Sequence, residues 1–179
     1  MNEQMRQPIT VLDHDGVVTY QPRLFAAAAA HELFAQLERD INWQHDVVTM
    51  FGKTITTARK VAWYGTAGLR YTYAGKEKRA LPWNELLTDI KDRVQETTGT
   101  TFNSCLLNRY ADGTEGMGWH SDNEPELVPD GAIASVSFGA TRRFDLRHRD
   151  TKEKISVELE SGSLLVMAGP TQRHWQHQV

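Results

Sequence analysis

Residues 132–169, AIASVSFGATRRFDLRHRDTKEKISVELESGSLLVMAG, contain four short runs rich in β-branched and aromatic side chains. AIASVSFGA, RRFDLRH, KISVELE and SLLVMAG are separated by charged or Gly-containing turn signals, such as Ser161-Gly162. Such runs read as strands. ISVELE alternates apolar with polar, as a strand with one wet face should. From Phe102 onward no apolar spacing of three to four residues is sustained, so the C-terminal half reads as strands throughout.

Working upstream, NSCLLNRYA (103–111), LRYTYAG (69–75) and VVTMFGK (47–53) carry the same strand signature. Two segments differ. LFAAAAAHELFAQLERD (24–40) places Ala30, Leu33, Phe34 and Leu37 on one helical face. A second helix is expected from near Pro82 to about Thr97, with Leu86, Leu87, Ile90 and Val94 at helical spacing and Gly99 as its stop. Two helices followed by many short strands predict an α+β chain, helices packed on a β-sandwich or jelly roll.

A chain of 179 residues with 40% hydrophobic and 24% charged residues fits a single globular domain with a real core. No apolar run approaches bilayer length, and no membrane partner is expected. The lone cysteine, Cys105, excludes an internal disulfide and suits a reducing cytoplasmic setting, or a nuclear one in a eukaryote. The formal charge of −3 exerts no global pull on nucleic acid. Local clusters, Lys53, Arg59, Lys60 and Arg70, then Arg142, Arg143, Arg147, Arg149, Lys152 and Lys154 interrupted by Asp145, Asp150 and Glu153, read by default as solvated surface.

Two triplets carry metal-binding potential. His120-Ser121-Asp122 and His148-Arg149-Asp150 each place a histidine and an aspartate two apart, on one face of an extended strand. His148 lies in RHRDTKEK, which reads as an exposed charged turn where cations oppose a metal ion. His120 follows Gly116-Met117-Gly118-Trp119, with few charges and room for close approach. A third ligand would come from His174 or His177. Two histidines and a carboxylate on one side of a metal suit non-haem Fe(II) oxygenases, and also a hydrolytic zinc site.

The wider pattern is more specific. FNSCLLNRYADG (102–113), WHSDNE (119–124), IASVSFGATRRF (133–144) and SGSLLVMAGPTQRHWQH (161–177) resemble the AlkB family of Fe(II)/2-oxoglutarate dioxygenases. FGK (51–53), ARK (58–60) and YGTAGLRYTYAG (64–75) are similar to its DNA-repair demethylase subgroup, so that the likeness covers roughly residues 47–179. The resemblance implies a double-stranded β-helix core over 101–179, with 47–100 as a nucleotide-recognition lid and supporting helix within one domain, 1–179. It implies Fe(II) held by His120, Asp122 and His177, with 2-oxoglutarate, bound by Asn108 and Tyr110, and O2 as co-substrates. Tyr71 and Tyr73 fall where the family stacks an aromatic on a flipped base. Phe51 matches the finger that fills the gap in a duplex, Arg59 a lid residue near the substrate, and Glu124 an acid that contacts the damaged base.

The activity so implied is oxidative dealkylation of bases such as 1-methyladenine and 3-methylcytosine in DNA, with RNA as a further substrate, by a monomer. The family pattern continues past its distal histidine into Arg-x-Asn-x-Thr-x-Arg, whose first arginine pairs with 2-oxoglutarate. The sequence ends at Val179, so that arginine and the last core strands are expected to be missing from it. Two other readings stay open: an oxygenase acting on a protein or small molecule, and a nucleic-acid-binding module without turnover.

Overall fold

SLLVMA forms a strand buried along most of its length, as a near-continuous apolar run demands of a strand with neighbours on both edges and layers on both faces. The computed structural model describes residues 7–50, 53–73, 76–122 and 124–179, which cluster into two compact units.

The first unit comprises the residues up to 36 together with 117–179. One of its sheets runs in the order β1 (Ile9–Leu12), β2 (Val17–Gln21), β12 (Ser163–Ala168), β9 (Ile133–Ser137). The other runs β11 (Lys154–Leu159), β10 (Arg142–His148), β13 (Trp175–Gln178). All these neighbours pair antiparallel. A single core joins the two sheets: Leu12, Val18, Tyr20, Leu165 and Met167 from one, Phe144, Leu146, Leu159 and Trp175 from the other. This is the sandwich expected from the sequence. The alternation of β10 sets it up, since Phe144, Leu146 and His148 are buried while Arg143 is exposed on the opposite face.

The first turns of α1 (Ala27–Asp40) close over this unit. Gly162 makes that approach possible. Its φ of 78° lies in the left-handed region, and a Cβ there would sit 2.9 Å from both the Phe25 carbonyl and the Ala30 side chain. Its carbonyl accepts hydrogen bonds from Leu24 and Phe25 N–H at 2.9 and 3.0 Å.

The second unit, residues 37–116, is built on β4 (Lys53–Gly65). β4 pairs antiparallel with β3 (Gln44–Met50) and β8 (Ser104–Arg109) and parallel with β7 (Leu81–Pro82). β5 (Arg70–Tyr73) and β6 (Lys76–Arg79) form a separate hairpin. α2 spans Glu85–Thr98, not from Pro82: Pro82 ends β7, and the Asn84 side chain caps the helix by accepting from Leu87 N–H at 2.8 Å. Gly99, at φ 67°, ends it as expected. Among described residues no helix is long and apolar enough to cross a membrane.

The expectation of strands alone after Phe102 needs one correction. A single helical turn, α3 (Thr171–His174), precedes β13, too short to leave a period in the sequence. RHRD also differs from the exposed turn expected. It is a turn, but His148 is buried beneath it, 4% exposed, with Nδ1 accepting from Asp150 and Thr151 N–H.

Asp145 ties the three strands of the second sheet together on their outer face. Its Oδ1 accepts from Ser156 Oγ at 2.6 Å and Arg143 Nε at 2.8 Å, and its Oδ2 from Gln178 Nε2 at 3.1 Å. These bonds, the Ser156 hydroxyl foremost, hold its carboxyl below the usual carboxylate range. A pKa lower in the folded than in the unfolded chain stabilises the fold above the unfolded value, and that contribution is lost as pH falls through the folded one. Asp145→Asn is therefore expected to cost about 1 kcal/mol at pH 7. The difference from wild type should shrink below about pH 4, as followed by denaturant unfolding at both pH values.

Candidate metal centre

Three potential ligands converge in the first unit. His120 and His177 lie opposite one another in a two-residue bridge, exchanging both backbone hydrogen bonds at 3.0 and 2.8 Å. Met117 and Val179 exchange a further pair, both at 3.0 Å, so the segment before His120 runs antiparallel to β13. The bridge brings the two imidazoles to a centroid separation of 4.1 Å. Asp122 completes the group, with Oδ1 3.8 Å from His120 Nε2 and Oδ2 3.5 Å from His177 Nε2. One ligand atom from each lies within 4.8 Å of the others, the sole such grouping among the described residues.

The donor set fits a divalent cation. His120 Nδ1 sits 2.8 Å from the Gly118 carbonyl, which accepts its proton and leaves Nε2 with a lone pair. Burial, reinforced by the nearby His120, pushes the His177 imidazole down to about 3, so it stays neutral and able to ligate at ordinary pH. Burial also raises the Asp122 carboxyl, with Glu124 adding to the effect and His120 opposing it. A desolvated carboxylate beside the neutral His177 imidazole gains most from a cation. A divalent ion held by these three donors would keep further coordination positions for co-substrate and oxygen.

The polar residues around the ligands left no signal of their own in the sequence. Gln172, from α3, accepts the Asp122 backbone N–H at 2.9 Å. Ser121 Oγ donates to the Trp175 carbonyl at 2.8 Å. Phe144 stacks on the His177 ring at 5.3 Å. Trp175 is core, 1% exposed, and Trp119 carries the Arg147 guanidinium 4.2 Å above its ring. Both tryptophans therefore serve packing. His174, the rival third ligand, stacks instead on His148 at 6.1 Å.

The remaining expected site residues divide between the units. Glu124 is half-buried in the first, close enough to act electrostatically on Asp122. Asn108 and Arg59 belong to the second, on the neighbouring strands β8 and β4, where Arg59 Nε donates to Asn108 Oδ1 at 3.1 Å. Arg59 Nη2 also lies 3.8 Å from the buried Asp46 carboxylate. Tyr110 follows β8 and is half-buried. Tyr71 and Tyr73 lie on β5, paired with Lys78 and Lys76. Phe51 lies outside the described residues.

A mainly β chain whose histidine, aspartate and histidine converge in this order has the framework of a non-haem Fe(II) oxygenase. Residues 17–179 match the profile of the 2OG-Fe(II) oxygenase superfamily, and the chain belongs to that superfamily. Fe(II), 2-oxoglutarate and O2 are the cofactor and co-substrates of its chemistry. The resemblance to AlkB homologues is borne out. The chain is 44% identical over 165 residues to the DNA oxidative demethylase ALKBH2 of Mus musculus, covering 86% of this chain and 69% of that one. For the Homo sapiens protein of the same name the identity is again 44%, with 63% of its length covered. The human alpha-ketoglutarate-dependent dioxygenase alkB homolog 3 is 35% identical over 191 residues, 94% of this chain and 66% of that one. The chain thus spans 63–69% of the length of these three relatives. The solved structure of OsALKBH1 shares the fold, with a TM-score of 0.61 at 19% identity over 94% of this chain and 85% of that one.

Cobalt(II) titration followed in the visible spectrum separates the two His-x-Asp triplets. His177→Ala and Asp122→Ala should each weaken binding by more than about a hundredfold. Asp150→Asn, at the exposed carboxylate of the second triplet, should leave it unchanged.

Proposed function

We propose that this chain is an oxidative demethylase of N-alkylated bases in DNA, of the kind represented by 1-methyladenine and 3-methylcytosine, with RNA as a second substrate. The observation that carries the proposal is the convergence of His120, Asp122 and His177 in a chain 44% identical to proteins named DNA oxidative demethylase. With 2-oxoglutarate and O2, bound Fe(II) supplies an oxidant able to hydroxylate an N-methyl carbon, after which the hydroxymethyl group leaves as formaldehyde and the base is restored.

The protein's own residues supply position and charge. His120, Asp122 and His177 hold the metal from one side and contribute a single negative charge. Asn108 and Tyr110 take 2-oxoglutarate. The Asn108 carbonyl oxygen is already engaged by Arg59, so its amide N–H groups are the ones left to donate to a keto-acid oxygen. Tyr71 and Tyr73 are assigned to stacking on the extruded base, since every base offers a π face. Glu124 accepts from the damaged base. Phe51 fills the space the base leaves in a duplex, an apolar wedge that offsets lost stacking. Arg59 contributes through its bond to Asn108 as well as through any contact with substrate. The protein acts as a monomer, in the compartment that holds the DNA: cytoplasm in a bacterium, nucleus in a eukaryote.

The test supplies the chain with Fe(II), 2-oxoglutarate, ascorbate and an oligonucleotide bearing 1-methyladenine or 3-methylcytosine, reading out the unmodified base and succinate. Repair is expected, with Asp122→Ala reducing it by more than about a hundredfold. Phe51→Ala should lose more activity on duplex than on single-stranded substrate. A full-length protein with iron bound that leaves the lesion intact would contradict the proposal.

A further inference from the structure

The second His-x-Asp triplet takes no part in the ligand cluster, yet its middle residue reaches the first one. Arg149 Nη2 donates to Ser121 Oγ at 2.7 Å, and Ser121 Oγ donates onward to the Trp175 carbonyl at 2.8 Å. Ser121 stands between His120 and Asp122, and Trp175 stands two residues before His177. The arginine therefore clasps the segment that carries two of the ligands to the strand that carries the third.

Arg149 is itself firmly placed. Its backbone N–H donates to the His174 carbonyl at 2.8 Å, and its carbonyl accepts from Lys152 Nζ. The turn it occupies is closed by His148 Nδ1, which accepts from Asp150 and Thr151 N–H at 3.2 and 3.1 Å. Its Nε is buried and has no hydrogen-bond partner. Leaving a charged donor dry is costly, so the guanidinium is held in place by its remaining bonds and packing, not by optimal solvation. Ser121 has one hydroxyl proton, and it goes to Trp175, so the arginine is what occupies the oxygen's acceptor side.

We propose that Arg149 is a positioning residue for the metal centre, acting through Ser121 to hold His120 and Asp122 in register with His177. The proposal rests on these three residues being the metal ligands. Electrostatics and positioning make opposite predictions here. A nearby fixed cation repels a divalent ion, so charge alone predicts tighter metal binding once the guanidinium is removed. Loss of a supporting contact around metal ligands instead weakens binding by about 10- to 100-fold.

Cobalt(II) or manganese(II) titration of the whole chain tests this, with melting of the metal-free protein measured alongside. Arg149→Met and Ser121→Ala should each weaken metal binding about tenfold, with the double variant no worse than the weaker single one, because both break the same link. Ser121→Thr, which keeps the hydroxyl, should restore binding. Wild-type or tighter affinity in Arg149→Met overturns the inference, as do additive losses in the double variant. If Arg149→Met does not fold, Ser121→Ala decides alone, since it cuts the same link from the other end: wild-type affinity there also overturns it. His120→Ala tests the reading beneath, and undiminished metal binding in that variant would overturn the ligand assignment itself.

Discussion

The two backbone hydrogen bonds exchanged by His120 and His177 are the constraint on which the site depends. Without them the segment 117–122, MGWHSD, is a connection outside the named strands, and His120 would lose its register with β13. With them, two imidazoles on opposed chains point into one space, and Asp122 needs only the extended geometry of its own triplet to join them. β13 in turn takes its register from β10, where Leu146 pairs with His177 and His148 with Trp175. The apolar alternation of RRFDLRH therefore fixes, two steps away, where the metal ligands stand.

Burial gives the ligand group its chemical character. His177 packs against Phe144 in the sandwich interior, and the same desolvation that keeps its imidazole neutral raises the Asp122 carboxyl. Each group is poorly suited to being charged alone in that place, and a divalent cation resolves the conflict for both. The Gly118 carbonyl, Gln172 and Ser121 complete the arrangement by fixing the His120 tautomer, the Asp122 backbone and the link to β13 between them. None of these is an unusual residue type, which is why the centre is specified by geometry more than by composition.

Much of the fold was legible in the sequence because the strands of the sandwich carry strong patterns. ISVELE alternates, SLLVMA is a nearly unbroken apolar run, and both became the strands expected. The helix over Glu85–Thr98 was legible for its apolar period, but its start was not, because Pro82 advertises a helix that the Asn84 cap begins two residues later. α3 and β13 are four residues each, too short to show a period. For the site, His-x-Asp spacing alone could not separate His120 from His148. The deciding fact is tertiary: His148 is buried beneath its own turn with its Nδ1 already engaged. The charge that made RHRD look like solvated surface also concealed Arg149, whose side chain reaches Ser121.

The convergence of His120, Asp122 and His177 on one divalent ion is tested most directly by a crystal structure of the protein grown with manganese(II), a redox-quiet stand-in for Fe(II), with data collected to locate the metal by its anomalous signal. A single strong peak bonded to Nε2 of His120, a carboxylate oxygen of Asp122 and Nε2 of His177, with the opposite positions open, is the predicted result. A peak at His148 and Asp150, or a metal held by His174 in place of His177, would contradict it.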